Sequence, residues 1–150
     1  MKRQILVFSL LMLAALASAC ANRSLAAAPA ATAEPGSVQD KATFVTALEA
    51  LDATVESGEP ITQAFFTPEG SILKINGTDV QVFEYESVEA MEGEASQVTP
   101  DGGSIGTSMV TWVDTPHFYK AGRIIVLYVG SDQTVLDLLG KALGQQFAGR

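Results

Sequence analysis

The side chains best suited to chemistry are few, since the 150-residue chain has one His, one Cys and one Trp. His117 follows Asp114 by three positions, and Ser104 and Ser108 precede both. These residue types could supply the nucleophile, base and orienting acid of a hydrolase. Residues 102–106, GGSIG, fit the spacing G-x-S-x-G, but a strand is predicted to follow them, whereas the motif that exposes a serine nucleophile lies on a strand-to-helix turn. We therefore rank hydrolysis third among the functions considered, assign no catalytic residue, and expect His117 to be a turn or surface residue.

A glycine-rich loop over residues 99–107, TPDGGSIGT, has the composition of a phosphate cradle. It lacks the Lys-Ser/Thr ending of such loops, and a strand rather than a helix is predicted to follow it. The simpler interpretation is a connecting loop. The alternative is the rim of a small-molecule site, because binding residues concentrate on loops. The candidate binding residues of this loop are Asp101, Gly102, Gly103 and Ser104.

Aromatic side chains cluster in the second predicted hairpin and could form another wall of such a site. The candidate binding residues there are Trp112, His117 and Tyr119. The alternative is that these rings belong to the hydrophobic core, together with the other aromatic residues of the chain. The sequence alone leaves both interpretations open.

An acidic segment over residues 84–94 holds no basic side chain, and its carboxylates are those of Glu84, Glu86, Glu89, Glu92 and Glu94. Calcium sites need ligands at short alternating spacing in a loop that contains glycine. These glutamates are instead predicted on a strand end and a helix face, so we expect a solvated face. A cation or a basic partner is the alternative, and we assign no metal site and no cofactor.

The N-terminal residues form the sharpest pattern of the chain. Lys2 and Arg3 precede an apolar stretch over residues 5–17, and the small residues ASA lead directly into Cys20. A basic start, a short apolar core and small residues are typical of an export signal. The pattern resembles the signal and lipobox of bacterial lipoprotein precursors. The resemblance implies cleavage before Cys20, attachment of a diacylglyceryl group to its thiol with acyl chains of the palmitate type, and a membrane-anchored N-terminus.

The same residues are compatible with two other outcomes. Ordinary secretory cleavage after Ala19 would leave an unmodified Cys20 on a secreted protein, and residues 5–21 reach the lower limit of a membrane span. A lone Cys favours lipidation, because exported proteins commonly use cysteines in pairs. We therefore predict a signal peptide over residues 1–19, a lipidated Cys20 with a disordered Ala/Pro-rich tether over 20–39, and one domain over 40–150.

The charge balance limits the partners of this chain. Its 9 basic and 17 acidic residues give a net charge of −8, whereas nucleic-acid binding needs a basic face. Its own charge does not hold it on anionic lipid, so the acyl chains are expected to anchor it. The expected location is the bacterial cell membrane or outer membrane, with the domain facing the periplasm or the exterior. The remaining partners are an envelope protein and a small ligand of unknown identity.

The hydropathy pattern predicts an α+β domain with the order α-β-β-β-α-β-β-β-α. We expect an antiparallel sheet of five or six strands with two or three helices packed on one face. Asp40 is predicted to cap the first helix, whose apolar stripe continues to Val55. Strands are predicted over residues 61–66 and 109–113, among others. A hairpin followed by a helix occurs twice, which is compatible with a ββα pseudo-repeat.

The strand over residues 78–85 gives two sharper predictions. Asn76 and Gly77 precede it and form the strongest short signal for a hairpin turn. Along the strand, valines point to one side and Phe83 and Tyr85 to the other, which predicts two buried surfaces. The second surface could be covered by a helix or by a partner.

These observations lead to ranked hypotheses of function. The leading one is a small exported lipoprotein with a non-catalytic binding or scaffolding domain at the bacterial envelope. The alternative is a small-molecule or metal-binding lipoprotein that uses the 99–107 loop and the aromatic hairpin. A hydrolase that uses His117 ranks last.

Overall fold

The computed structural model describes residues 38–150, so the predicted signal peptide, Cys20 and most of the predicted tether lie outside the described residues. Within that range the elements are α1 (Lys41–Glu49), β1 (Val55–Ile61), β2 (Gly70–Ile75), β3 (Thr78–Glu84), α2 (Val88–Ala95), β4 (Ser104–Ile105), β5 (Ser108–Met109), β6 (Pro116–Ala121), β7 (Ile124–Val129), α3 (Gln133–Leu143) and β8 (Ala148–Gly149). The predicted α+β class and element order are confirmed. Across residues 38–150, no helix has both the length and the apolarity that crossing a membrane requires.

Six strands form one antiparallel sheet in the order β1-β2-β3-β7-β6-β8, and β4 and β5 form a separate pair. The predicted turn joins β2 to β3, with φ of 51° at Asn76 and 85° at Gly77. Both values lie in the left-handed region that this hairpin turn requires, and Asn and Gly adopt it most readily. The two ββα segments meet at the centre of the sheet, because β3 pairs with β7.

The sheet is covered on both faces. α1 and α3 pack over the face that carries Val80 and Val82, and α2 packs over the face that carries Phe83 and Tyr85. This confirms the two buried surfaces predicted for β3, whose successive side chains point to opposite faces. Two helices share one face, as predicted, whereas the helices of the two ββα segments lie on opposite faces.

The first helix is shorter than its apolar stripe predicts. Asp40 caps its start as predicted, but the helix ends at Glu49 and Val55 begins β1. The chain reverses at Asp52, whose φ is 62° and whose N–H donates to the carbonyl of Glu49. The N–H of the next residue, Ala53, donates to the carbonyl of Leu48. This pair of bonds is a Schellman motif, which ends a helix even where the following apolar residue keeps helical spacing.

The strand predicted over residues 61–66 lies earlier in the chain. It is β1, which ends at Ile61 and is followed by turns. β1 is an edge strand, and its pairing with β2 is irregular between Ser57 and Pro60. An edge position tolerates a proline, because no neighbouring strand requires its missing N–H.

The strand predicted over residues 109–113 is reduced to Ser108–Met109, which pairs with β4. Residues 110–112 have no regular structure, and bends lead from there into β6. Trp112 therefore lies in an irregular segment whose side chains do not follow the two-residue period of a strand. This irregular segment, residues 110–115, forms one wall of the candidate site.

Candidate functional site

A cleft of about 460 Å³ opens at the end of the sheet where β6 begins. The glycine-rich loop, the irregular segment 110–115 and the C-terminal residue meet there. The lining residues are Asp101, Gly103, Val110, Thr111, Trp112, Asp114, Thr115, Pro116 and Arg150. The volume falls within the range of roughly 300–1,000 Å³ that is usual for small-molecule sites.

The glycine-rich wall of the cleft is organised by the side chain of Asp101. Its Oδ1 accepts hydrogen bonds from the hydroxyl of Thr99 at 2.8 Å and from the N–H of Gly103 at 3.0 Å. The Thr99 hydroxyl in turn accepts from the N–H of Ser104 at 2.9 Å. The Gly103 N–H, the Thr99 hydroxyl and the nearby Arg150 guanidinium hold the pKa of Asp101 below its ordinary value of 3.8. The wall therefore presents a fixed, ionised carboxylate.

Gly102 joins this wall to the irregular segment. Its φ of 69° favours glycine, and a Cβ there would come within 2.9 Å of the Phe118 ring. Its carbonyl accepts a hydrogen bond from Nε1 of Trp112 at 2.7 Å. The next carbonyl, that of Gly103, accepts from the N–H of Val110 at 3.0 Å. The two walls of the cleft are thus bonded to each other.

The Trp112 ring is held by two aromatic neighbours. Its centroid lies 5.9 Å from that of Phe65 and 5.8 Å from that of Phe118, with interplanar angles of 72° and 73°. Edge-to-face pairs of this kind stabilise by about 0.5–1.5 kcal/mol beyond the burial of the rings. With its N–H bonded and two neighbours in place, the half-buried indole has a defined orientation at the cleft.

The third part of the cleft is formed by β8 and by Arg150, which follows it. β8 pairs with β6, and the N–H of Arg150 donates to the carbonyl of Pro116 at 3.2 Å. The N–H of Gly149 donates to the carbonyl of Pro100 at 3.0 Å, which ties the same strand to the glycine-rich loop. These bonds bring the guanidinium of Arg150 to the cleft, near Asp101.

The structure brings together some of the predicted binding residues. Asp101, Gly103 and Trp112 line the cleft. Gly102 supports it through its carbonyl, and Ser104 supports it through the bond from its N–H to Thr99. The glycine-rich loop and the tryptophan, which the sequence places in separate elements, therefore belong to one site.

His117 and Tyr119 do not join this cleft. Tyr119 is buried in the core beneath α1 and α3, and His117 stacks on Tyr128 with the ring centroids 6.0 Å apart. Tyr128 belongs to the same core. Side chains alternate between faces along β6, so Pro116 lines the cleft while the residue after it points to the other face.

His117 is an internal residue, so the expectation of a turn or surface histidine is wrong. It is only 6% exposed, because β7 and β8 flank its strand. Its Nδ1 lies 2.8 Å from Oε1 of Gln146, and its Nε2 lies 3.1 Å from the carbonyl oxygen of Gly130. Both ring nitrogens thus hydrogen-bond to residues outside the Ser/His/Asp set, and the Oδ1 of Asp114 accepts instead from the N–H of Thr115.

Sequence reasoning missed several residues that line the cleft. Thr111 and Thr115 were not singled out, and Asp114 was considered only as a hydrolase acid. The polar residues on either side of the Trp112-Val113 pair, in TWVDT, are the signal that could have marked them. Nothing in the sequence marks Arg150, because its approach depends on the pairing of β8 with β6.

Some carboxylates of the acidic segment 84–94 form ion pairs, so the segment is not only a solvated face. Glu84 forms an ion pair with Nη2 of Arg123 at 2.5 Å, and Glu92 forms one with Lys120. Across residues 38–150, no group of three or more His, Cys, Asp or Glu side chains is placed to hold a metal ion. The charge of this segment is thus partly neutralised by Lys120 of β6 and by Arg123 of the turn that follows it.

Glu94 has a separate role beneath a second cavity of about 380 Å³. Its carboxylate accepts hydrogen bonds from the N–H of Thr67 at 3.1 Å and from the phenol of Tyr85 at 2.8 Å. Burial and the Glu94 carboxylate raise the pKa of Tyr85 far above its ordinary value of 10. This network fastens the turn after β1 to α2 and leaves the phenol protonated as a donor.

Comparison with known proteins adds no further assignment. No protein-family model matches the chain, and it matches neither a curated protein nor a solved structure.

Proposed function

We propose that the chain is an exported, membrane-anchored lipoprotein whose domain binds a ligand at the bacterial envelope without catalysing a reaction. The N-terminal pattern that ends in Cys20 supports the anchoring, through its resemblance to lipoprotein precursors. The cleft at the start of β6 supports the binding and is the single observation that carries it.

The cleft suits binding because its walls are ordered by the domain itself. Asp101 is fixed by two hydrogen bonds at its Oδ1, and Trp112 is fixed by one hydrogen bond and two ring contacts. An apolar ring beside a few oriented polar groups is typical of small-molecule sites. A ligand that enters such a preformed site pays little ordering entropy, which favours affinity.

The position of the cleft also suits an anchored protein. Arg123 donates its N–H to the carbonyl of Gln39 at 2.9 Å, so the described chain begins beside the β6–β7 hairpin. The cleft lies at the other end of β6, beside Pro116. Five residue steps along a strand span roughly 17 Å. The predicted tether over residues 20–39 would therefore join the domain at the end remote from the cleft, so the point of attachment would not cover the cleft.

A second candidate function is docking of an envelope protein, as in the scaffolding hypothesis. Met109 and Val113 are 90% and 99% exposed, and both lie next to residues that line the cleft. Exposed apolar side chains beside a groove are a common feature of protein interfaces.

Thermal unfolding of the mature protein, purified from membranes, tests the binding function. Amino acids, sugars, nucleotides and lipid headgroups would be added in turn. A ligand at 100 times its Kd stabilises by about 2.7 kcal/mol, which raises the Tm of a domain of this size by roughly 10 °C. Trp112→Ala should abolish that rise relative to its own Tm. Val88→Ala, which shortens an exposed apolar side chain on α2, is the matched control and should preserve it.

The two candidates give different results in this experiment. If no compound raises the Tm of the wild-type protein, ligand binding in the cleft is refuted. The docking alternative then predicts that exchanging Met109 and Val113 for Ser removes crosslinks to envelope proteins in intact cells.

A further inference from the structure

We propose that the ligand of the cleft is a neutral, hydroxyl-rich molecule, namely a carbohydrate. The proposal rests on the binding function given above and names the chemical class that the lining residues would recognise. Three observations support it: the charges of the lining residues, the Trp112 ring whose N–H is already hydrogen-bonded, and the donors and acceptors that the lining residues offer to a ligand.

The charges that line the cleft are of both signs, so no ligand of a single charge is attracted by all of them. Asp101 and Asp114 carry negative charge and Arg150 carries positive charge, all on one cleft of about 460 Å³. An anion would meet two carboxylates, and a cation would meet the guanidinium. A neutral ligand avoids both repulsions and can still hydrogen-bond to each group, which makes these bonds charge-assisted.

The Trp112 ring offers an apolar surface rather than a polar contact. Its only hydrogen-bond donor, the Nε1–H, is already engaged by the carbonyl of Gly102 at 2.7 Å. What remains for a ligand is the ring, flanked in the cleft by Val110 and Pro116. A sugar ring has C–H groups on one side and hydroxyls at its edge, so it can cover such a surface while its hydroxyls reach polar groups.

The polar groups around this ring match hydroxyl ligands. The internal hydrogen bonds of both aspartates end on Oδ1, which leaves Oδ2 of Asp101 and of Asp114 to accept from a ligand. The hydroxyls of Thr111 and Thr115 can donate and accept, and the Arg150 guanidinium can donate. Hydroxyl groups are both donors and acceptors, so one sugar can satisfy all three kinds of partner.

The test uses the fluorescence of Trp112, the single tryptophan of the chain. The mature protein would be kept in a polyoxyethylene detergent, because detergents with sugar headgroups would compete. The neutral probes are cellotriose, maltotriose and N,N′,N″-triacetylchitotriose, and the charged comparators are glutamate and lysine. We expect a saturable change in emission with at least one trisaccharide and none with the charged comparators.

Two variants locate the binding. Asp114→Asn keeps the Oδ1 acceptor for the Thr115 N–H but removes the charge, and should weaken trisaccharide binding about tenfold. Glu59→Gln makes the same change on the exposed edge strand β1, and should bind like the wild type. Equal weakening by both variants, or by neither, would overturn the assignment to this cleft.

A second arm separates the sources of the sugar. Binding to soluble trisaccharides identifies a free sugar, whereas sedimentation only with purified cell-wall sacculi, lost in Asp114→Asn, identifies a polymeric glycan; both support the proposal. A fluorescence change with glutamate or lysine alone overturns the carbohydrate assignment and leaves the binding function intact. No response to any probe, with no rise in Tm for any compound class, overturns both.

Discussion

At the scale of single residues, the Asp101 carboxylate connects two parts of the glycine-rich loop through Thr99 and Gly103. The same loop holds Trp112 through the carbonyl of Gly102. Protonation of Asp101 is therefore expected to change the position of Trp112.

Acidification should release this loop. The pKa of Asp101 is lowered in the folded protein, so its stabilising contribution is present above the ordinary value of 3.8 and is lost as the pH falls through the lowered value. We expect Trp112 emission to change below about pH 4 in the wild type. Asp101→Asn keeps an acceptor at Oδ1 but carries no charge, and should lack this transition. An identical acid transition in both proteins would assign it to another carboxylate.

His117 gives a second prediction at this scale. Truncating it to Ala leaves the partly buried Gln146 side chain and the buried Gly130 carbonyl without their hydrogen-bond partner, and we expect a loss of about 2–4 kcal/mol in the free energy of unfolding. Denaturant unfolding measures this loss. The ligand affinity of the folded variant should equal that of the wild type. A stable variant that has lost ligand binding would mean that His117 acts in the site.

At the scale of elements, two glycines differ sharply in what surrounds them. Gly93 lies within α2 with open space where a Cβ would project, whereas Gly102 has φ of 69° and faces the Phe118 ring. Gly93→Ala should therefore raise the free energy of unfolding by roughly 0.5–1 kcal/mol, because alanine favours the helix. Gly102→Ala should lower it by about 1–3 kcal/mol. Denaturant unfolding of both variants checks the contrast, and equal effects would contradict the role of Gly102 in the loop.

The elements differ in how far sequence predicts them. The Asn76-Gly77 turn and the Asp40 cap follow from local chemistry, and both are confirmed. The end of α1 was mispredicted, because the left-handed conformation at Asp52 overrides a helical spacing that continues to Val55. Likewise, residues 109–113 have strand-like composition but only a short partner in β4.

In the candidate site, too, some features follow from local sequence and others depend on long-range contacts. The glycine-rich loop and Trp112 could be selected from sequence, because their residue types are unusual in this chain. The contact between the loop and Trp112 could not be predicted, because it depends on a hydrogen bond from Trp112 to the carbonyl of Gly102, ten residues earlier in the chain. Arg150 joins only through the long-range pairing of β8, and His117 was misassigned because the local proline outweighed its place in a buried strand.

At the scale of the whole molecule, the proposed anchor would join the domain at the end of β6 opposite the cleft. The described chain starts at the β6–β7 hairpin, and the cleft lies at the opposite end of β6. The acidic balance of the chain gives no electrostatic attraction to anionic lipid, so the proposed membrane attachment depends on the diacylglyceryl group that we predict on Cys20. Two acyl chains suffice for stable anchoring, whereas one gives only marginal binding.

The intact mass of the mature protein, purified from the membranes of the producing cell, is the measurement that decides whether the protein is anchored as proposed. We expect a chain that begins at Cys20 and carries the additional mass of a diacylglyceryl group. Cys20→Ser should abolish both that mass and the recovery of processed protein from membranes. A wild-type chain that begins at an unmodified Cys20 and is found in the medium would contradict the anchoring, and the domain would then be a freely diffusing binding protein.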